Sequence, residues 1–277
     1  MHLFEFHDQP WFPVVLRDAV TDMLEFLLGI ARLYIPIVPR LRKALEHSGT
    51  QYIVDLCSGA GGPWLWMLGL LEEPPNLPLS VCLTDKYPNT GAFGHAKNVS
   101  SSRITHYPAP VDAMHPPAEL RGFRTLFNSF HHFNPEGARS ILEDAVRNQQ
   151  SISIFEIAGR HPITVLGVFL IPVLALLLTA AVRPFRWSRM IWSYLIPIVP
   201  FVLFFDGIVS CLRTYSMEEL TELAGGLSSS GYRWEIGTEK GRFVNLPVTY
   251  LIGYPSMPAD TPAQQAIRGK STPPPNS

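Results

Sequence analysis

The residues best suited to chemistry lie where short apolar runs of this 277-residue chain end. Carboxylate and amide oxygens there can accept hydrogen bonds from hydroxyl and ammonium groups, and histidine is the usual proton acceptor near neutral pH. If the runs are parallel strands, their carboxyl ends meet at the edge of the sheet where ligands bind in open α/β folds. We therefore expect one site to contain the following side chains, with Glu156 as a lower-ranked candidate: Asp55, Asp85, Asp112, Asn128, His131 and His132.

The segment 51–64, QYIVDLCSGAGGPW, is the centre of this pattern. An apolar run is followed by a glycine-rich turn and then by an apolar helical pattern over 64–71, a geometry that directs backbone N–H groups and a positive helix end at a ligand. A dinucleotide-binding turn would need a third glycine where Trp64 stands. A phosphate-binding P-loop would need a Lys–Ser/Thr pair after its last glycine, so both interpretations are excluded.

Elements that could position these residues alternate along the chain. Short apolar runs separated by helical patterns are typical of βαβ units and a parallel sheet. Residues 16–45 read as helical, with Pro36 and Pro39 interrupting them, and 137–148 form an amphipathic helix. The predicted strands are 52–54, 79–83, 104–107 with Val111, 125–127 and 151–157.

Four motifs in order carry a resemblance to a known family: VDLCSGAGG, LTDKYPN, VDAMHPP and LFNSFHHF. Together they resemble the motif series of the class I S-adenosylmethionine-dependent methyltransferases, although Cys57 stands at the first of the three glycine positions. The resemblance covers 51–255 apart from one insertion. It implies an α/β fold, a doubly wound, mostly parallel, seven-stranded Rossmann-like sheet. The chain would close with an antiparallel hairpin from 232–238 and 248–253, the latter preceded by 243–247, and 206–223 would form the helix and substrate-side loop before it.

The resemblance also implies a cofactor, S-adenosylmethionine, and a role for each strand end. Asp85 would accept the ribose hydroxyls, and Asn128 would lie beside the sulfonium. His131 or His132 could take a proton from the acceptor, although capping or packing explains these histidines equally well. Contacts to the methionine part would come from Asp55, Cys57, Ser58, Gly59 and Gly61. Contacts to the adenine would come from Asp112 and Ala113.

The insertion contains a run of 21 uncharged residues, 162–182, about the length that crosses a bilayer core. Arg183, Arg186 and Arg189 follow, and 190–205 is a second, proline-broken uncharged run. A pair of core helices would explain these runs without a membrane, but membrane contact is the favoured interpretation. A two-span hairpin is slightly preferred to one that lies in the membrane surface. A small, hydrophobic or lipid-like methyl acceptor would suit this neighbourhood.

Composition limits the remaining possibilities. The net charge of −1 and the absence of a basic run give no indication of nucleic-acid binding. The three cysteines lack zinc-site spacing, so no metal is expected, and the acidic N-terminus is unlike a secretory signal.

We predict a helical cap (1–50), a methyltransferase domain (51–160 and 206–255) on the cytoplasmic side, a membrane-associated insertion (161–205) and a disordered tail (256–277). The alternative is a non-catalytic, membrane-anchored scaffold with the same fold; the oligomeric state stays open.

Overall fold

The computed structural model describes residues 3–72, 78–227, 231–241 and 246–256. The predicted tail beyond Ser256 and most of the segment 243–247 lie outside the described residues.

A seven-stranded sheet forms the centre of the molecule, in the order β3-β2-β1-β4-β5-β7-β6. The first five of these pair in parallel, whereas β7 runs antiparallel to both of its neighbours, β5 and β6. The doubly wound, mostly parallel sheet with a closing hairpin is thereby confirmed. The strands are β1 Tyr52–Asp55, β2 Ser80–Leu83, β3 Ile104–His106, β4 Phe123–Phe127, β5 Ile152–Glu156, β6 Tyr232–Lys240 and β7 Pro247–Pro255.

Helices cover both faces of this sheet. Pro36 lies in a short 3₁₀ turn, Ile35–Ile37, which separates the first two helices as the prolines of the sequence predict. Val111, which the sequence joins to the third strand, lies beyond the end of β3. The helices are α1 Val14–Ala31, α2 Val38–Ser48, α3 Trp64–Leu71, α4 Thr90–Val99, α5 Pro135–Arg147, α6 Pro162–Leu178, α7 Trp187–Met190, α8 Ile198–Arg213 and α9 Met217–Gly225.

Trp64 explains why the glycine turn lacks a third glycine. Its indole is fully buried under the sheet and packs edge-on against Phe127, with ring centroids 5.5 Å apart. An aromatic side chain of this size buries a large apolar area and anchors the start of α3 to β4. Helix α3, which begins at the ligand-facing turn, is thus fixed against the sheet by this contact.

The insertion forms α6, α7 and α8. Among the described residues, the segment Pro162–Ala181 is the one helical stretch long and apolar enough by itself to cross a membrane, with a mean hydropathy of 2.6 and only 22% of its most apolar window buried. The second run is bent by 77° between Leu195 and Ile198. Gly207 lets α8 approach α6 closely, because a Cβ there would lie 2.9 Å from Cγ1 of Val168.

The arginine-rich turn between α6 and α8 is tied to the helical cap. Arg189 is buried and pairs with Asp22 of α1 over 2.5 Å, and Arg186 pairs with Asp18 over 3.1 Å. Asn89, just before α4, donates a hydrogen bond to Asp22 as well. A two-span hairpin would carry this turn across the bilayer, away from α1. The ion pairs instead hold the turn on the same side of the molecule as α1.

Candidate active site

Three glycines of the turn after β1 have a positive φ: Gly59, Gly61 and Gly62, with φ of 55°, 116° and 59°. Cys57 also has a positive φ, 58°, a conformation that costs a residue with a Cβ roughly 1–2 kcal/mol. A glycine, as in the family's motif, would avoid that cost, so Cys57 makes this turn less favourable than the usual one. The turn keeps its shape despite it.

A cavity of about 390 Å³ lies above this turn, at the carboxyl ends of β1, β2 and β4. Helix α1 and the N-terminal segment close its other side. Of the residues predicted from the sequence, the cavity is lined by Asp55, Cys57, Ser58, Gly59, Asp85, Asn128 and His132. Gly61, Asp112, Ala113 and His131 do not line it.

Asp85 is fixed by the backbone at the rim of this cavity. One carboxylate oxygen accepts a hydrogen bond from the N–H of Gly59, and the other accepts one from the N–H of Tyr87, both over 2.8 Å. Each oxygen keeps a second lone pair for a ligand. The carboxylate is thus pre-oriented to accept two neighbouring hydroxyl groups.

Asp112 and Ala113, predicted to contact the adenine, do not line this cavity. Asp112 accepts a hydrogen bond from the N–H of Met114 and lies 3.6 Å from the ammonium of Lys86. Ala113 is buried in the core between the sheet and α5. Met114, rather than either of them, reaches the cavity. In the same way, Gly62 lines the cavity where Gly61 does not, because a Cβ on Gly61 would point at the core residue Leu83.

Two carboxyl groups with raised pKa values line the cavity, those of Asp55 and Glu25. Asp55 is buried, and burial raises its pKa to about 7 although Thr125 donates a hydrogen bond to it over 2.6 Å. Burial, together with the charge of Asp55, raises the pKa of Glu25 on α1 to about 8. A cationic ligand group would stabilise both carboxylates. Glu25 was not predicted from the sequence, because no motif marks that part of α1.

A second cavity, of about 430 Å³, lies between α1, α6 and α8. Its walls are mostly leucine, isoleucine and valine side chains. The residues that line both cavities are His7, Leu24, Leu28, Asn128 and His132. The two cavities are therefore neighbours with a shared wall, one polar and one apolar.

Asn128 is held at this shared wall by the end of β5. Its side-chain oxygen accepts hydrogen bonds from the N–H groups of Ile157 and Ala158, over 3.2 and 2.9 Å, and its own φ is 48°. Such a strained backbone persists only where the surroundings impose it, and it is common at functional sites.

His131 faces the apolar cavity. Its Nδ1 lies 2.6 Å from Oε2 of Glu156, whose other oxygen accepts a hydrogen bond from the N–H of Phe130. The histidine ring is 1% exposed, and its Nε2 has no hydrogen-bond partner in the described part of the chain. With Nδ1 as the donor to the carboxylate, Nε2 carries a free lone pair.

His132 lies among charged groups of the N-terminal segment. Its Nδ1 is 2.8 Å from Asp8 and 3.0 Å from Glu5, and Arg213 pairs with both of these acids. Burial disfavours a charged ring, but the two carboxylates outweigh it and hold the pKa of His132 well above its usual range. His7 stacks on this ring, and burial and the charge of His132 lower the pKa of His7 to about 4.

Comparisons with known proteins gave structural likenesses only. No family model matches the sequence, and no curated protein matches it. Similar solved structures include a Nostoc punctiforme protein described as an O-methyltransferase (11% identity, TM-score 0.49, 91% of this chain and 63% of that one) and PigF with SAH (15%, 0.47, 89% and 62%). Another is magnesium protoporphyrin IX methyltransferase from Synechocystis with bound SAH (13%, 0.42, 79% and 82%).

This chain therefore spans less than two thirds of the first two proteins. At such low identities and TM-scores, the fold is assigned from the strand order, the antiparallel β7 inserted between β5 and β6, and the glycine turn after β1. The chain has the class I methyltransferase fold. In the methyltransferase fold the first cavity occupies the ligand-binding edge of the parallel strands.

Proposed function

We propose that this chain is an S-adenosylmethionine-dependent methyltransferase that acts on a small hydrophobic or lipid-like acceptor at a membrane surface. The observation that carries the proposal is the shared wall between the polar and the apolar cavity, at Asn128 and His132. A methyl donor in the first cavity and an acceptor in the second would meet there.

The charges of the first cavity suit a positively charged ligand. Its lining side chains include four carboxyl groups, of Asp8, Glu25, Asp55 and Asp85, against two cationic groups, of Lys86 and His132. A polyphosphate would be repelled by such a surface. S-adenosylmethionine carries a sulfonium and an ammonium group and a ribose with two hydroxyls. Asp55 and Glu25 would hold the ammonium, Asp85 the ribose, and the backbone of Cys57, Ser58 and Gly59 the rest of the methionine part.

The cofactor supplies an activated methyl group, so the protein mainly has to align the reactants. Transfer is an in-line displacement in which the acceptor atom forms a bond to the methyl carbon as the sulfur–methyl bond breaks. Holding the two reactants in that line can account for much of the acceleration. The apolar cavity would hold the body of the acceptor and exclude water. Its head would then reach the shared wall at His132, and we place His132 and the neighbouring His131 of the apolar cavity as the residues that act on it.

The surface of the insertion supports membrane association. Large apolar side chains are exposed along α6, including Phe169, Val173 and Leu177, and Trp187 and Leu195 extend this surface beyond the turn. A contiguous exposed apolar patch of this kind marks an interaction with a membrane or a protein. With the arginine-rich turn paired to α1, we propose that the insertion lies in the membrane surface and that the methyltransferase domain rests on the cytoplasmic side.

Transfer of an isotope-labelled methyl group tests the proposal. The purified protein is incubated with methyl-labelled S-adenosylmethionine and either a membrane-lipid extract or a water-soluble metabolite extract. We expect the label in a lipid-phase product. Label only in water-soluble products would overturn the apolar acceptor, and no label in either extract would favour a non-catalytic scaffold.

A further inference from the structure

Three potential metal ligands lie close together beside the apolar cavity. A carboxylate oxygen of Glu5 and one ring nitrogen each of His131 and His132 all lie within 4.8 Å of one another. Glu5 and His131 are each 1% exposed. These residues come from the N-terminal segment and from the turn after β4, so they are adjacent only in the fold.

His131 is arranged as metal-binding histidines are. Metal-ligating histidines nearly always donate the second ring N–H to a carboxylate or carbonyl, which fixes the tautomer and aims the other nitrogen at the ion. The Nδ1 of His131 has such a partner in Glu156 over 2.6 Å. Its Nε2 is buried, and among the residues that the structure describes no donor or acceptor pairs with it.

Glu5 and His132 contribute one buried atom each to this cluster. Oε2 of Glu5 and Nδ1 of His132 lie 3.0 Å apart, and Asp8 lies 2.8 Å from the same nitrogen, but neither buried atom forms a well-aligned hydrogen bond with a described group. The other oxygen of Glu5 is occupied by Ser210 and Arg213, each at 3.2 Å. A metal ion bound by both atoms would replace this poorly aligned contact with directed bonds.

The formal charges around this position also suit a divalent cation. When both histidines are neutral, as metal ligation requires, the carboxylates of Glu5, Asp8 and Glu156 and the guanidinium of Arg213 sum to −2. A charge of +2 neutralises the group. Buried charges are tolerated when they are paired in this way or bound to metal.

We propose that Glu5, His131 and His132 bind a divalent transition-metal ion. Two imidazole nitrogens and carboxylate oxygens are ligands that Zn²⁺ accepts, and sites with two histidines and one acid leave positions open for a substrate. The ion would lie at the apolar cavity, where Glu5, His131 and His132 all contribute to the wall. Its use in the reaction, which rests on the proposed function, is to hold an oxygen atom of the acceptor beside the methyl donor. The histidines would then act on the acceptor as ligands rather than as proton acceptors.

Metal titration of the full chain tests the site itself. Protein without a polyhistidine tag is stripped with a chelator and titrated with Zn²⁺ by calorimetry and with Co²⁺ by visible absorption. We expect about one ion per chain, Co²⁺ bands typical of a low-coordinate N/O site, and displacement of Co²⁺ by Zn²⁺. Absence of stoichiometric binding by the folded wild-type chain overturns the proposal and needs no variant.

Variants then identify the ligands. Glu5→Gln and His131→Gln are each expected to weaken Zn²⁺ binding more than tenfold, and Glu156→Gln, which only orients His131, by about 10–100-fold. His115→Gln, at an exposed histidine, should bind as the wild type does. The unfolding midpoint of each metal-free variant shows whether it is folded. Wild-type affinity in a folded Glu5→Gln protein contradicts the assignment. Binding of S-adenosylmethionine is measured on the same samples, so that a chain that binds the cofactor but no ion loses only the metal site.

Discussion

Asp85 accepts a hydrogen bond from the backbone N–H of Gly59, which joins the end of β2 to the glycine turn after β1. The same carboxylate is the one that we expect to hold the ribose of the cofactor. One side chain thus links the shape of the turn to ligand binding. Because both of its oxygens are already oriented by backbone N–H groups, little ordering is left for the ligand to impose.

Replacing Asp85 by alanine should weaken the binding of S-adenosylmethionine at least tenfold, equivalent to ~1.4 kcal/mol. The loss combines the missing ribose contact with a less ordered turn. Calorimetry measures the affinity, and Asp85→Asn, which retains one acceptor oxygen, should lie between the alanine variant and the wild type. Glu46→Ala, at an exposed acid on α2, is the matched control. An Asp85→Ala protein with unchanged affinity removes the ribose assignment.

The affinity for the cofactor should rise with pH between pH 6 and pH 8. In the free protein the pKa of Asp55 is raised to about 7 and that of Glu25 to about 8, so both carboxyls are largely protonated at pH 6. The ionised forms, which predominate as pH rises through these values, are the ones that attract an ammonium group. We expect the affinity to increase roughly tenfold over this interval, the equivalent of one pKa unit of coupling.

Calorimetry at several pH values measures that slope, and Glu25→Gln should reduce its upper part. A wild-type affinity that is constant from pH 6 to pH 8 would show that neither carboxyl contacts the ammonium group.

Filling the apolar cavity should impair methyl transfer to the acceptor without affecting the binding of the cofactor. Gly167 of α6 lines this cavity, and a Cβ on it would have open space within 4 Å. Gly167→Leu adds a side chain there, so methyl transfer to an apolar acceptor should fall roughly tenfold or more, the effect of a pocket that no longer fits. Gly69→Leu, at an equally unobstructed helical glycine of α3, is the control.

The measurement pairs initial rates of label transfer with cofactor affinity. Equal rates for Gly167→Leu and the wild type would mean that the acceptor lies elsewhere. Loss of cofactor affinity in the same variant would mean that the two cavities do not hold separate ligands.

Charges on the exposed face of α6 should release the protein from membranes. Val173 and Leu177 are 55% and 71% exposed and do not line the apolar cavity. Val173→Glu and Leu177→Glu together should abolish co-flotation with phospholipid vesicles, because a carboxylate is unfavourable below the headgroups. Val99→Glu, at a 59% exposed valine of α4, should float as the wild type does. Undiminished flotation of the double variant would exclude α6 as the membrane contact.

The sequence predicted the sheet well because motifs mark the ends of β1, β2 and β4 in the right order. Asp55, Asp85 and Asn128 reach the site because they end neighbouring parallel strands, a relation that is local in sequence. Asp112 was harder to place, since an aspartate two residues before an N–H can equally well close a turn, which is what its bond to Met114 does.

The contributions of the N-terminal region could not be predicted in this way. Glu5, His7 and Glu25 reach the site from elements more than 25 residues before the glycine turn, and no spacing rule relates them to it. The position of the insertion also depends on contacts between residues that are far apart in sequence. The ion pair between Asp22 and Arg189, 167 residues apart, places the arginine-rich turn against α1, whereas hydropathy alone suggests a spanning hairpin.

Binding of S-adenosylmethionine to the purified chain in detergent is the most direct test of the proposed function. We expect saturable binding by calorimetry with one cofactor per chain and competition by S-adenosylhomocysteine. Heat signals absent in a protein shown to be folded by circular dichroism would contradict it, whatever the acceptor or the metal site proves to be.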